Sequence, residues 1–358
     1  MAISLTHIVD EAAGEDSVRQ LSLLLEHMPA EHVRQRVILI GRKPSVLTLC
    51  EGVESIRIGQ RMGWPDLKKI LLRCQTDIVH AWSADTATAM GSVWYGRSPM
   101  MVTISDPADA RRCKLWWFHM VNVLCPSKIV QIRLVESGIP VKATRVIRPG
   151  VDFSALKQAK NAVSRSNLGL PEKGKVLLTV SPPTRAGGQY YAVWAAAILH
   201  NIWPDACLVI PGISKEQRRL LRLIDNIYCP DIYFPTRERY GFAELLAVSD
   251  MLIVPALEDI ATGWLAWAMA GSVAIVGSAV PAIMEMITDG ENGFLCKPGE
   301  PHSLAIRIRE AAEGRGTLRS CVRTAKNQAG ELFQLKRYID EYCEMVNNLV
   351  GGGRLAAG

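Results

Sequence analysis

The chain lacks several features that would assign it to a particular class of protein. Its nine cysteines are scattered singly with no CxxC pair, which argues against zinc sites and disulfides and favours reduced thiols. No apolar run reaches about 18 residues, so no membrane-spanning helix is predicted. The opening residues, MAISLTHIVDEAAG, have neither a basic start nor a long apolar stretch, and we expect no signal peptide. Because no GxGxxG follows a predicted strand, a nicotinamide-dependent enzyme is disfavoured.

The composition is that of a globular protein with room for two cores. The chain has 358 residues, of which 49% are hydrophobic and 21% charged, which suits two α/β domains. Its formal charge of +6 is compatible with a phosphate-bearing ligand or an anionic membrane surface, but it specifies neither.

The stretch from Met251 to Pro298 carries the strongest structural pattern. Met251–Pro255 and Val273–Gly277 are short apolar runs of the kind that form buried parallel strands. Between them, Gly263–Ala270 is apolar on nearly all sides, which predicts a helix covered on both sides. Asp289-Gly290 and Asn292-Gly293 then predict two turns.

This stretch resembles the donor-binding half of the family 4 glycosyltransferases. The matching residues are Ala268-Met269-Ala270, the Val-rich strand at 273–278 and Asp289–Gly293, and Pro149-Gly150-Val151-Asp152 fits the family's entry to the interdomain linker. The resemblance implies an α/β protein of GT-B architecture, with two Rossmann-like domains whose parallel sheets face each other across a cleft. The implied boundaries are an acceptor-side domain at 1–152 with a C-terminal helix at 331–350 crossing back, a linker at 153–173, and a nucleotide-sugar-binding domain at 174–330.

The resemblance also locates a donor site whose side chains depart from the family pattern. The family's paired glutamates fall on Asp259 and Trp267, and its phosphate-binding arginine and lysine fall on Pro182 and Gly187. Arg185 is the nearby residue that could supply positive charge, although a solvated loop arginine is the alternative. By resemblance, we expect Asp259 to be a catalytic residue that holds the sugar. We also expect the donor to be bound by Arg185, Glu258, Thr262, Gly263, Gly212, Arg237 and Trp267.

Two residues of the first domain are candidates for catalysis. His80 lies at the end of the predicted strand Asp77–Ala81, and Ser105 stands where the family has a histidine near the transferred sugar. A serine has no basic function near neutral pH without a partner, but it can hydrogen-bond a hydroxyl. For His80, the alternative is a buried, hydrogen-bonded histidine without a catalytic role.

A basic and aromatic segment in the same domain has two interpretations. Residues 108–121 predict a helix in which Arg111, Arg112 and Lys114 precede Trp116, Trp117 and Phe118. The segment Arg111–Phe118 would suit an anionic membrane surface, or its aromatic rings would pack against the sheet.

These observations favour a cytoplasmic glycosyltransferase, either free in the cytoplasm or peripheral at the inner face of the membrane. It would transfer a sugar from a nucleoside diphosphate donor to a glycan or lipid-linked acceptor with retention of configuration, using no metal, no cofactor and no nucleic acid. The alternatives are a catalytically impaired protein that binds glycans or nucleotides as a scaffold or regulator, and an adaptor at the membrane surface.

Overall fold

The structure is a computed structural model that describes residues 2–11, 13–41, 44, 47–59, 64–94, 97–113, 121–181, 184–211, 217–227, 231–235 and 240–351. The chain forms two compact units. Unit 1 comprises Met1–Gly150 and Leu335–Gly358, and unit 2 comprises Val151–Gln334. In the described ranges, no helix is long and apolar enough to cross a membrane.

Unit 1 contains a parallel sheet with seven described strands, in the order β3-β2-β1-β4-β5-β6-β7. The strands are β1 Ile3–Asp10, β2 Val33–Ile40, β3 Glu54–Ile58, β4 Ile78–Ala81, β5 Met100–Thr103, β6 Asn122–Cys125 and β7 Thr144–Val146. The helices are α1 Glu15–His27, α2 Trp64–Arg73, α3 Ala84–Trp94, α4 Pro107–Ala110 and α5 Lys128–Glu136, with a short 3-10 helix at Val141–Ala143. The last helix of the chain, α14 Leu335–Val350, completes this unit.

Two apolar cores cover the faces of the unit 1 sheet. On one face, α2, α3 and α5 bury residues such as Leu71, Met90 and Leu134. On the other face, α1 and α14 bury residues such as Leu24 and Met345. The sheet is therefore covered on both faces, as its nearly continuous apolar strands require.

Unit 2 repeats the same architecture with six described strands, in the order β10-β9-β8-β11-β12-β13. The strands are β8 Val176–Thr179, β9 Cys207–Val209, β10 Ile232–Tyr233, β11 Met251–Val254, β12 Ala274–Ser278 and β13 Phe294–Cys296. The helices are α6 Phe153–Ala162, α7 Gln189–His200, α8 Gln217–Ile227, α9 Phe242–Ala247, α10 Gly263–Gly271, α11 Pro281–Met284, α12 Pro301–Glu313 and α13 Arg315–Leu332. Every described pair of neighbouring strands in both sheets is parallel.

The prediction that α10 is covered on both sides is confirmed. All nine of its residues are buried, because β12 lies on one side and α6, α9 and α13 pack around it. The turn motif that follows also has a structural role. The Asn292 amide accepts a hydrogen bond from Thr288 N at 2.7 Å and donates to Met286 O at 2.9 Å, so it closes the Asp289–Gly293 turn.

Two elements differ from the sequence-based prediction. The predicted helix at 108–121 is right for residues 108–110, which belong to α4, and wrong at Arg111–Arg112, which form a turn. Residues 114–120 lie outside the described ranges. The segment expected to be a polar connection contains α6. Asp152 caps this helix by accepting hydrogen bonds from Ser154 N and Ala155 N, and the helix buries Leu156 and Ala159.

A buried histidine in unit 1 predicts acid sensitivity. His7 accepts a hydrogen bond from Trp82 Nε1 at its Nδ1, at 3.1 Å, and its Nε2 lies 3.2 Å from Gln35 Oε1. Burial lowers the pKa of His7 from 6.5 to about 4. Between these two values the unfolded chain binds a proton at this residue and the folded chain does not. The free energy of unfolding therefore has its full value above about pH 6.5 and decreases as the pH falls towards 4. The expected loss is about 3 kcal/mol by pH 4 from this residue alone.

Urea unfolding measured between pH 7 and pH 4 checks this expectation. His7→Asn should reduce the slope of unfolding free energy against pH by about 1.4 kcal/mol per pH unit, the value for one proton. The exposed His302 provides a control, since His302→Asn should leave the slope unchanged. Equal slopes for wild type and His7→Asn would contradict a buried neutral His7.

Candidate functional site

The strand order identifies the edge of each sheet at which a ligand is expected. In the order 3-2-1-4-5-6, strands 2 and 3 are added on one side of strand 1, and strands 4 to 6 are added on its other side. Ligands bind at this switch point, between strands 1 and 4, outside the carboxyl ends of the strands. In unit 2 this position lies between β8 and β11, which are direct neighbours. The segments that leave it are residues 181–188, here termed the β8 loop, and residues 255–262, here termed the β11 loop; residues 182 and 183 are not described.

The two loops are joined to each other. Leu257 N donates a hydrogen bond to Ala186 O at 2.8 Å. Gly188, at φ +69°, brings its backbone so close to Pro255 that a Cβ atom would stand 1.8 Å from Pro255 O. Only glycine tolerates this combination of positive φ and contact. The edge of the sheet at β8 and β11 is therefore a preformed surface.

Asp259 is held in place from a third segment. Its Oδ1 accepts a hydrogen bond from Ala282 N at 2.9 Å, at the second residue of α11, and the residue is half-buried. This bond orients the carboxylate, whose two oxygens have about four acceptor positions in all. The neighbouring Glu258 is exposed.

The start of α10 lies at the same edge. Thr262 precedes the helix and is 5% exposed, and the helix begins at Gly263. The amino end of a helix carries partial positive charge and favours an anion such as phosphate. Trp267, one helical turn further on, is 5% exposed and its ring packs edge-on against Phe242 at 6.4 Å. The structure thus places Trp267 in the packing between α9 and α10.

The charges on these loops are mixed. Among the described residues of the β8 and β11 loops, Arg185 is the cation, and Glu258 and Asp259 are the carboxylates. Arg185 is exposed. The predicted donor-binding residues Gly212 and Arg237 lie outside the described residues. No described group of three or more His, Cys, Asp or Glu side chains is arranged to hold a metal ion.

Two hydroxyl groups at this edge were not predicted. Thr179 Oγ1 and Ser181 Oγ are buried at the end of β8 without a hydrogen-bond partner among the described residues, although Ser181 O accepts from Gln189 Nε2 at 2.8 Å. Buried hydroxyls are normally satisfied, and exceptions are common at functional positions. The sequence gives only a weak signal for these two hydroxyls, because they belong to two small polar residues at the end of an apolar run.

In unit 1, His80 is built into the core. Its Nδ1 lies 2.6 Å from Tyr342 Oη and its Nε2 lies 2.8 Å from Thr103 Oγ1, and the side chain is fully buried. Burial, reinforced by the nearby His7, keeps the pKa of His80 well below its usual value. With both ring nitrogens occupied, the contacts are those of the non-catalytic alternative, and they attach α14 to the sheet.

Tyr342→Phe tests this attachment. Removal of the hydroxyl leaves His80 Nδ1 buried without its partner, which is expected to cost about 1–3 kcal/mol of unfolding free energy. Tyr338→Phe is the matched control on the same helix, since the described residues include no hydrogen bond to the Tyr338 hydroxyl. Chemical denaturation of both variants should show a clear loss for Tyr342→Phe alone; similar losses would contradict the role given to His80.

Ser105 lies at the carboxyl edge of the unit 1 sheet beside acidic residues. Its Oγ is 2.7 Å from Ser17 Oγ, and it lines a cavity of 30 Å³ together with Thr103 and Tyr342, which has room for about one or two waters. Burial raises the pKa of the adjacent Asp106, and burial together with Asp106 raises the pKa of Asp109 to about 6. This edge is therefore a poor position for a phosphate group.

Comparison with known proteins is consistent with this geometry. The family model described as glycosyl transferases group 1 matches residues 161–328. Over 179 residues, or half of the chain, the sequence is 26% identical to N-acetyl-alpha-D-glucosaminyl L-malate synthase of Bacillus anthracis. The aligned stretch covers 46% of that relative, so the match spans about half of its length.

Solved structures extend the similarity to both units. The Anabaena protein Alr3699/HepE, solved with UDP and glucose, superposes with a TM-score of 0.83 over 97% of this chain and 100% of that chain, at 17% identity. Sucrose-phosphate synthase from Thermosynechococcus elongatus superposes with a TM-score of 0.78 over 98% of this chain and 100% of that chain, at 16% identity. At these identities the match shows the fold. Residues 161–328 are therefore similar to the group 1 glycosyl transferases, and the chain has the GT-B fold.

Proposed function

We propose that the protein transfers a sugar from a nucleoside diphosphate donor to a glycan or lipid-linked acceptor, with retention of configuration and without a metal ion. The observation that carries this proposal is the preformed edge at β8 and β11, with Asp259 fixed by Ala282 N–H beside the start of α10. A rigid, oriented carboxylate is suited to hold sugar hydroxyls, because little reorganisation is needed when the ligand binds.

The proposed roles follow from the chemistry of each group. Asp259 holds the sugar hydroxyls, with Glu258 near it on the same loop. The start of α10 at Thr262–Gly263 and the exposed Arg185 offset the charge of the leaving diphosphate. In unit 1, Ser105 is the hydroxyl that would hydrogen-bond the acceptor, while His80 positions the strand end through its buried contacts. A UDP-sugar is the first donor to test, since a solved relative binds UDP and glucose.

The donor site is expected to be weak. The family's phosphate-binding arginine and lysine are replaced by Pro182 and Gly187. With each charged hydrogen bond contributing about 1.5–3 kcal/mol, two missing ones would weaken donor binding by about two to four decades. This replacement also favours the second candidate function, a protein that has kept the fold and binds nucleotides or glycans without turnover. Membrane contact through Arg111–Phe118 remains a separate proposal, because residues 114–118 lie outside the described ranges.

Calorimetric titration with UDP, GDP and ADP, followed by donor hydrolysis assays, separates these proposals. Heat with one nucleotide together with slow hydrolysis of its sugar conjugate supports the transferase. Heat without any hydrolysis or transfer supports the binding protein. An absence of heat with all three nucleotides at millimolar concentration would remove the donor-binding proposal.

A further inference from the structure

An open pocket beside the edge strand β10 of unit 2 has no role in the proposed transfer reaction. Its volume is 430 Å³, within the range of about 300–1,000 Å³ that is typical of small-molecule sites. It is lined by residues 167–170 and by Tyr233, Phe234, Pro235 and Tyr240, and it is here termed the β10 pocket. All of these residues belong to unit 2, so one unit alone forms the pocket.

Hydrogen bonds fix the two walls of the β10 pocket to each other. The hydroxyl of Tyr240 donates to Asn167 O at 2.5 Å, which joins the two sides. On the first side, Leu170 N donates to Arg165 O at 2.9 Å, and Leu170 is 5% exposed. Arg165 in turn donates to Asp250 Oδ2 at 2.9 Å, immediately before β11. The pocket is therefore preformed, as ligand sites usually are.

Several polar groups of the pocket have no hydrogen-bond partner among the described residues. Asn167 Oδ1 accepts from Ser164 N and Ser164 Oγ, both at 2.8 Å, which leaves the Asn167 Nδ2 donor unpaired. The hydroxyl of Tyr233 has no described partner either. Tyr233 O accepts from Ile210 N at 2.9 Å, so the main-chain groups of the next residue, Phe234, face the open edge of the sheet. The pocket therefore offers both donors and acceptors.

The remaining surface of the β10 pocket is aromatic and uncharged. Tyr233, Phe234 and Tyr240 are half-buried, and none of the described lining side chains carries a charge. A charged group that lost its water here would meet no opposite charge, which disfavours phosphates and acidic peptides. A pyranose ring suits the pocket, because its C–H face packs on aromatic rings and each of its hydroxyls is both donor and acceptor.

An extended peptide fits the pocket less well than a sugar does. Peptides that bind at the edge of a sheet add a strand to it, and β10 offers only the two residues Ile232–Tyr233 to such a strand. Strands in proteins are usually about 3–10 residues long. A single sugar ring needs no continuous edge, so the short length of β10 does not count against it.

The β10 pocket is separate from the edge at β8 and β11. Because β9 lies between β10 and β8, β10 is about 10 Å away from β8 across the sheet. Residues 167–170 also precede β8, which begins at Val176, whereas the candidate donor edge is formed by segments that leave the strands. A ligand in this pocket would therefore occupy a second position on unit 2.

We propose that the β10 pocket binds one neutral pyranose unit of a glycan. The sugar ring lies against the aromatic rings of Tyr233 and Tyr240, and its hydroxyls pair with Asn167 Nδ2 and with the hydroxyl of Tyr233. This binding does not depend on the proposed transfer reaction, since the pocket contains none of the residues assigned to that reaction.

Ligand-observed NMR titration of the full chain with neutral methyl glycosides tests the proposal. The probes are the methyl α-glycosides of glucose, galactose, mannose and N-acetylglucosamine, each measured with and without UDP at millimolar concentration. At least one glycoside should bind with a dissociation constant of about 1 mM, as expected for a ligand of its size, and UDP should leave that constant unchanged. If the donor edge does not bind UDP, the glycoside result is unaffected, so the two proposals fail separately.

Three substitutions locate the bound sugar. Tyr233→Ala should weaken glycoside binding at least about tenfold through loss of the aromatic contact, and Tyr233→Phe about threefold through loss of one hydroxyl. Asn167→Asp should weaken it about fivefold, because the Nδ2 donor is lost while the carboxylate still accepts from Ser164. Tyr190→Ala is the matched control, since Tyr190 is 39% exposed on α7 of the same unit and should leave glycoside binding unchanged.

Circular dichroism verifies that each variant is folded, and Tyr233→Phe replaces Tyr233→Ala if the latter is unfolded. The proposal is overturned if no glycoside binds, if UDP displaces the glycoside, or if folded Tyr233→Phe and Asn167→Asp both bind it as wild type does. Weaker binding of UDP by Tyr233→Phe, with glycoside binding unchanged, would make the pocket part of a nucleotide site and would also overturn it.

Discussion

Gly188→Ala is expected to destabilise unit 2 by about 2–5 kcal/mol. At φ +69°, a side chain costs about 1–2 kcal/mol. The added Cβ would also stand 1.8 Å from Pro255 O and 2.7 Å from Pro255 C. Because these are backbone atoms, the β8 and β11 loops must separate, which adds about 1–3 kcal/mol. Urea unfolding followed by circular dichroism measures the loss.

Gly169 is a closely matched control for this substitution. It is also in unit 2 and also has φ +69°, but a Cβ atom at this position would meet nothing within 4 Å. Gly169→Ala should therefore show only the conformational cost of about 1–2 kcal/mol. If the two variants lose the same stability, the close approach of the two loops is not needed for the fold.

Much of the fold was predictable from local patterns. Short apolar runs identified strands of unit 2, and the prediction for Met251–Pro255 matches β11, Met251–Val254, to within one residue. A parallel strand buried on both faces must be apolar throughout its length, so its sequence signal is strong. The error in the predicted helix at 108–121 arose from a weak signal, because aromatic and basic residues at helical spacing do not determine where a helix ends. α6 was missed since its buried face consists of only a few apolar residues, such as Leu156 and Ala159.

The candidate site was less predictable, because its partners are distant in sequence. Asp259 was identified by resemblance, but its hydrogen-bond donor is Ala282, 23 residues later. His80 was identified as a strand-end histidine, whereas one of the two hydroxyls that contact it belongs to Tyr342, 262 residues away. A residue's position at the end of a strand can be inferred from the sequence. Whether its polar atoms are already occupied depends on packing between elements, which local patterns do not specify.

Asp259→Asn is expected to reduce sugar transfer by about 100-fold or more while leaving the fold intact. The amide oxygen of asparagine can still accept the Ala282 N–H bond, so stability should change little. The negative charge that strengthens hydrogen bonds to the sugar hydroxyls is lost, and loss of a preorganised polar group at the reacting centre typically costs about 10²–10³ in rate. The measurement is kcat/KM for the donor identified by titration, together with a urea unfolding curve.

Two further variants separate binding of the donor from support of the loop. Asp259→Ala should lose the activity and also about 1 kcal/mol of stability, since the α11 terminus loses its acceptor. Glu258→Gln should reduce kcat/KM by no more than about fivefold, because an exposed carboxylate contributes about 0–1 kcal/mol. An active Asp259→Asn beside an inactive Glu258→Gln would reverse the two roles and place the sugar-binding carboxylate on Glu258. If Asp259→Asn and Glu258→Gln are both fully active while Asp259→Ala is merely unstable, then Asp259 serves the fold alone. The oriented carboxylate would then no longer support sugar transfer at this edge.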